Sequence, residues 1–96
     1  MCYDNAEGVE KDLFKAVELY RKAAELGYAL AQFNLGLCYE YGEGVEKDPV
    51  KAAEWYLKAA EQGNASAQYN LAVCYHNGTG VEKSMQKAAE WFRKAG

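Results

Sequence analysis

The sequence repeats itself every 36 residues. Shifted by that interval, Cys2 falls on Cys38 and Cys74, Gly8 on Gly44 and Gly80, Val9 on Val45 and Val81, and Lys15 on Lys51 and Lys87. Of the 60 residue pairs the shift allows, 36 are identical. A fixed period in the range of about 20–50 residues marks a solenoid, in which each unit buries its apolar face against its neighbours instead of around one centre. The complete unit runs from 29 to 64, with partial units at 1–28 and 65–96, and the whole is one domain.

Within the unit the apolar residues recur at helical spacing, and no stretch alternates as a strand would. Residues 1–3 read as the last turn of a helix, and Asp4–Lys11 as a loop in which Gly8-Val9 matches Gly44-Val45. A helix is then expected after Asp12, running to about Leu26 and ended by Gly27, as Gly63 ends the equivalent helix. The next covers Ala29 to Tyr41. Asp48 reads as an N-cap with Pro49 in the first helical position, where its missing N–H is harmless. That helix runs to about Gln62, and Asn64 caps the one from Ala65 to His76 or Asn77. The last runs from Ser84 to Gly96. Asp12, Asp48 and Ser84 share one repeat position, so the cap is expected three times.

The Ala pairs at 23–24, 52–53, 59–60 and 88–89 leave no bulk and allow close helix contact. Trp55 and Trp91 are expected to fill the space between layers. Glu18–Lys22, Glu54–Lys58 and Glu90–Lys94 place Glu four residues before Lys on exposed faces, each pair adding about 0.2–0.5 kcal/mol.

The pattern Ala-x-Ala-Gln-[Phe/Tyr]-Asn-Leu-[Gly/Ala]-x-Cys-Tyr, then Gly-x-Gly-Val-Glu-Lys-Asp, then Lys-Ala-Ala-Glu-Trp-Tyr-x-Lys-Ala-Ala-Glu-x-Gly, resembles the Sel1-like repeat, a relative of the tetratricopeptide repeat with a longer internal loop. The resemblance covers essentially the whole chain. It implies an all-α fold, a right-handed α/α superhelix of antiparallel helix pairs whose first helices line a concave face. It also implies an adaptor that holds other proteins together. By analogy with tetratricopeptide geometry, Leu30, Phe33, Leu37, Glu40 and Tyr41 face the groove in one unit, and Ser66, Tyr69, Val73, His76 and Asn77 in the next. Some tetratricopeptide domains clamp a terminal carboxylate with Lys and Asn on these helices. Phe33, Leu37, Tyr69 and Val73 stand at the matching positions, so the groove is expected to be aromatic and apolar with a polar rim. Against this, Phe33 and Tyr69 are also suited to a core.

Other motifs yield to structural readings. The Gly-x-Gly loops at 42–44 and 78–80 follow helices and lack the Gly-Lys-[Ser/Thr] of a phosphate loop. His76 lies two residues from Cys74, on a different side of the helix, and forms no catalytic pair with it. Asn64-Ala65-Ser66 and Asn77-Gly78-Thr79 match the glycosylation pattern, but Met1–Asn5 lack the basic start and apolar run of a signal peptide. Asn34 and Asn70 are expected to bond backbone of the adjacent unit. One cysteine per unit, with equivalent atoms about 10 Å apart, exceeds the roughly 7 Å Cα reach of a disulfide and cannot gather four zinc ligands. Three free thiols are expected, and reduced thiols point to a cytoplasmic setting.

The net charge of −3, with acids and bases interleaved, argues against nucleic acid, which needs a basic surface. No stretch reaches the roughly 18 apolar residues of a membrane span. The reading is a non-catalytic scaffold binding a protein or peptide, with no metal or cofactor. An enzyme alternative comes from a cysteine-rich branch of the same family associated with β-lactam binding and hydrolysis. That branch carries two paired cysteines per repeat where this chain has one, and nitrocefin hydrolysis separates the readings. A third is a fragment of a longer array, or an engineered repeat polypeptide, with no independent function. Uncovered faces at the two ends, with Phe14, Val17, Leu19 and Tyr20 on one and Trp91 and Phe92 on the other, are expected to associate head-to-tail.

Overall fold

The 36-residue period becomes a row of antiparallel helices in which each packs on its sequence neighbours. The computed structural model describes the backbone of residues 6–95 and the side chains of residues 15–95. Its elements are α1 (Ala6–Glu25), α2 (Ala29–Tyr41), α3 (Pro49–Glu61), α4 (Ala65–Asn77) and α5 (Met85–Ala95), with no strand among the described residues. Packing runs α1 on α2, α2 on α3, α3 on α4 and α4 on α5. The result is elongated, 44 × 26 × 24 Å, as stacking of repeats requires.

Local chemistry sets the helix ends. The Asp48 carboxylate accepts from the N–H groups of Val50 (3.1 Å) and Lys51 (3.2 Å) ahead of Pro49. The Asn64 amide oxygen accepts from Ala67 N at 2.8 Å, and the Ser84 hydroxyl from Lys87 N at 3.2 Å. α2 and α4 close through Gly42 (φ 69°) and Gly78 (φ 72°) in the left-handed region, which only glycine enters without strain. The loop is then tied back in both units, Asp48 N to Tyr39 O and Ser84 N to Tyr75 O, each 2.9 Å.

The first unit departs from this pattern. α1 extends back to Ala6, through the stretch expected to be a loop, and Asp12 sits inside the helix and not at its start. The physical reason is Ala6, which stands where the other units have Gly42 and Gly78. Alanine pays about 1–2 kcal/mol to adopt the left-handed turn that opens the loop, and continuing the helix avoids that cost. The cap is thus formed twice, at Asp48 and Ser84. The helix turn read at residues 1–3 lies outside the described residues.

The core is small-residue packing around one large ring. Ala24, Ala52, Ala53, Ala59, Ala60, Ala67 and Ala88 are buried, and Leu35, Tyr56 and Leu71 are the largest fully buried side chains. Tyr56 is the ring fully buried between units, and Trp55 and Trp91 pack against the core from its edge. Trp55 and Trp91 are half-buried and carry Lys58 Nζ at 4.7 Å and Lys94 Nζ at 4.4 Å over their rings. Where Asn34 and Asn70 were expected, the side chains that bond backbone of the adjacent unit among the described residues are Gln32 and Gln68. Their amides donate to Ala24 O and Ala60 O at 3.1 Å, and Gln62 donates to Gln32 Oε1 at 2.9 Å. Cys38 and Cys74 are buried free thiols; Cys2 lies outside the described residues.

At the ends, Val17 is buried, Tyr20 half-buried and Leu19 exposed, while Trp91 and Phe92 are half-buried; the Phe14 side chain lies outside those described. No helix of the described residues is long and apolar enough to cross a membrane.

Candidate partner-binding groove

α2 and α4 carry an alternation that a single helix face cannot bury. On α4 the buried residues are Ala67, Gln68, Leu71, Ala72 and Cys74, which leaves Ser66, Tyr69, Val73, His76 and Asn77 on the remaining surface. Tyr69 is 55% exposed. Its ring meets Phe92 of α5 edge-on, with centroids 5.5 Å apart. Across the gap Phe33 of α2 tilts against Tyr56, at 5.9 Å. Phe33, Ala65, Ser66, Tyr69, Asn70, Phe92 and Ala95 together line a cavity of about 570 Å³.

A second cavity of about 310 Å³ shares Tyr69 and Asn70 with the first, so the two form one groove along α4. It is lined in addition by Glu40, Tyr41, Val73, Cys74, Asn77 and Thr79. Here the surface turns polar. The Tyr56 hydroxyl donates to Glu40 Oε1. Burial, followed by the bond to Glu40 and its charge, holds the Tyr56 hydroxyl far above the usual tyrosine range, against a smaller opposing hydrogen bond from Asn70. Burial and then the Glu40 charge push the Cys74 thiol up to about 11. Burial and then Glu43 raise Cys38 as well. Both thiols are therefore neutral and unreactive near neutral pH.

Of the ten residues expected to face a groove, Phe33, Ser66 and Tyr69 line the first cavity and Glu40, Tyr41, Tyr69, Val73 and Asn77 the second. Leu30, Leu37 and His76 line neither cavity. Leu30 is 65% exposed, Leu37 packs against the core, and His76 Nδ1 lies 3.1 Å from Asn77 Oδ1 on the surface. Phe33 does both jobs, half-buried against the core while forming a groove wall. Sequence reasoning missed Phe92, Asn70 and Thr79. For Phe92 the signal was present in the repeat: it stands where the central unit has Tyr56. Among the described residues no group of three or more His, Cys, Asp or Glu is placed to hold a metal ion.

A family model for the Sel1 repeat matches residues 1–28, 29–64 and 65–96. The chain belongs to the Sel1 repeat family. Solved structures agree. The chain is similar to a protective antigen of uropathogenic Escherichia coli displaying an SLR fold, at 48% identity and TM-score 0.85 over 88% of this chain and 18% of that one. It is similar to a Sel1 repeat protein from Oxalobacter formigenes, at 39% and 0.81 over 82% of this chain and 60% of that one. Helicobacter pylori cysteine rich protein B matches at 34% and 0.80 over 82% of this chain and 59% of its own. The chain thus spans about a fifth of the first structure and about three fifths of the other two. A comparison with curated proteins gave no match. Sel1 repeats generally serve as helical scaffolds for protein–protein interaction.

Proposed function

We propose that this Sel1 chain is a non-catalytic docking module that holds an extended peptide or partner segment in the groove along α2 and α4, with α5 as its far wall. The observation that carries the reading is Tyr69. It is a large aromatic ring that the fold leaves 55% exposed, seated between Phe33 and Phe92 in a cavity of about 570 Å³. That volume falls within the usual range of ligand clefts, about 300–1,000 Å³. Exposed aromatics of this kind are the typical anchors of interfaces. The same family match and the scaffold role general to Sel1 repeats support it.

Selection of a random hexapeptide library on the immobilised chain tests the proposal. Enriched peptides should lose at least tenfold in affinity on Tyr69→Ala or Phe33→Ala and be unaffected by Glu54→Ala on an exposed position of α3. Enrichment insensitive to both groove substitutions refutes it.

Head-to-tail self-association stands beside this as part of the proposal. Ala53 is buried, whereas Ala89 at the same repeat position on α5 is exposed, so α5 keeps a small-residue face able to receive another helix. Sedimentation across a dilution series reads it: Ala89→Lys should abolish any association, and a monomer at every concentration refutes it.

A further inference from the structure

The polar half of the groove has a chemistry that an apolar peptide side chain does not match. Its carboxylate, Glu40, is half-buried and receives Tyr56 Oη on one oxygen. Beside it stand the amides of Asn70 and Asn77 and the Thr79 hydroxyl, and no basic residue lines this cavity. Lys47 borders only the smaller adjoining space of about 170 Å³, which Glu40 also touches. Tyr41, 63% exposed, and Tyr69 supply aromatic surface to the same cavity. Every polar group named can accept a hydrogen bond, the one charge is negative, and two rings offer their faces. A guanidinium has the complementary character, with five donors, no acceptor and a flat cation that stacks on aromatic rings.

We propose that this half of the groove takes an arginine of the bound peptide, with Glu40 as its counter-ion and Tyr41 and Tyr69 as its walls. The inference rests on the groove reading above and names the chemistry of its occupant. The two halves meet at Tyr69 and Asn70. Ser66 and Ala65 at one extreme and Val73 and Asn77 at the other are about 7–12 residues apart on α4, roughly 10–18 Å at 1.5 Å per residue. The centres of the two halves are therefore about 5–9 Å apart on that scale, roughly two to three residues of extended chain. The peptide carries an apolar or aromatic residue two or three positions from the arginine. In the next repeat His76 stands in place of Glu40, so that unit lacks the carboxylate.

Peptides enriched from the hexapeptide library provide the probe. Each is synthesised with arginine and with citrulline, which keeps the shape and removes the charge, and binding is followed by fluorescence anisotropy. Citrulline should weaken binding to the parent chain by about tenfold, the lower end for a charged hydrogen bond. Glu40→Gln retains an acceptor for Tyr56 and should melt like the parent, yet bind both peptides within twofold of each other. Enriched peptides without a basic residue overturn the arginine assignment and leave the groove reading intact, as does a tenfold citrulline effect that persists in Glu40→Gln. Enriched peptides insensitive to Phe33→Ala and Tyr69→Ala overturn the groove itself.

Discussion

Gly80 and Gly63 have the same backbone handedness and different surroundings, and replacing each with alanine measures the contact between adjacent units. Gly63 has φ 97° and faces open space, so that a Cβ there would meet nothing within 4 Å. Gly63→Ala therefore costs only the conformational penalty, about 1–2 kcal/mol. Gly80 has φ 76°, but a Cβ there would strike the carbonyl oxygen of Pro49, come within 2.6 Å of the carbonyl carbon, and lie 3.2 Å from Val50 N. Those atoms are backbone at the capped start of α3, where Val50 N is already bonded to Asp48, so they cannot rotate out of the way as a side chain would. Overpacking of this kind adds about 1–3 kcal/mol.

Gly80→Ala should thus cost about 2–5 kcal/mol against about 1–2 kcal/mol for Gly63→Ala. For a chain of this size each 1 kcal/mol lowers the melting temperature by roughly 4–8 °C. Thermal melts followed by circular dichroism, with urea titrations to compare midpoints, give the difference directly. If the two variants melt within about 2 °C of each other, the loop does not press on α3 and the close approach at Gly80 is wrong.

Tyr56→Phe removes the donor to Glu40 and should destabilise by about 1–2 kcal/mol in urea, whereas a loss within error would mean water replaces the bond at no cost. Cys74 titrates at about 11 in the fold and near 8.5–9 when unfolded. Its contribution to stability is present in full below about pH 9. It declines as pH rises toward 11, because the unfolded chain then releases a proton the folded chain keeps. Cys74→Ala should flatten that part of the profile, and an unchanged slope counts against the assignment. Ala59 and Ala60 are 0% and 2% exposed. Either changed to Leu should lose about 1–3 kcal/mol, and Glu61→Ala at an exposed position of the same helix under about 0.5 kcal/mol; equal urea midpoints would refute close packing there.

The repeat made most of the architecture readable. Glycine and capping residues at equivalent positions define α2, α3 and α4, because each end has its own local chemistry: Asp48 before Pro49, Asn64 before Ala65, Gly42 and Gly78 after the last turn. Where the reading went astray, the cause was transfer of one unit's behaviour to another whose residues differ. Ala6 in place of a glycine turned an expected loop into helix. The choice between Asn34 and Gln32 was beyond periodicity. Both are amides on one helix, and only the longer side chain on the buried side reaches the carbonyl of Ala24. Trp55 and Tyr56 are adjacent, so a difference of about 100° around the helix decides which ring enters the core.

The lining of the two cavities was legible where it depends on helix face and obscure where it depends on what covers a position. Tyr56 and Phe92 occupy the same place in successive units. α4 lies over α3, and Tyr56 is 0% exposed with its hydroxyl held by Glu40. The Phe92 ring is half-buried, meets Tyr69 edge-on and lines the cavity beside it. The same comparison separates Gly36 from Ala72. A Cβ on Gly36 would come within 2.7 Å of the Tyr56 ring, and glycine there is what lets that ring approach α2 so closely. In the next unit the ring has moved outward and alanine fits, 0% exposed. The two substitutions go together, glycine with a buried tyrosine and alanine with a half-buried phenylalanine.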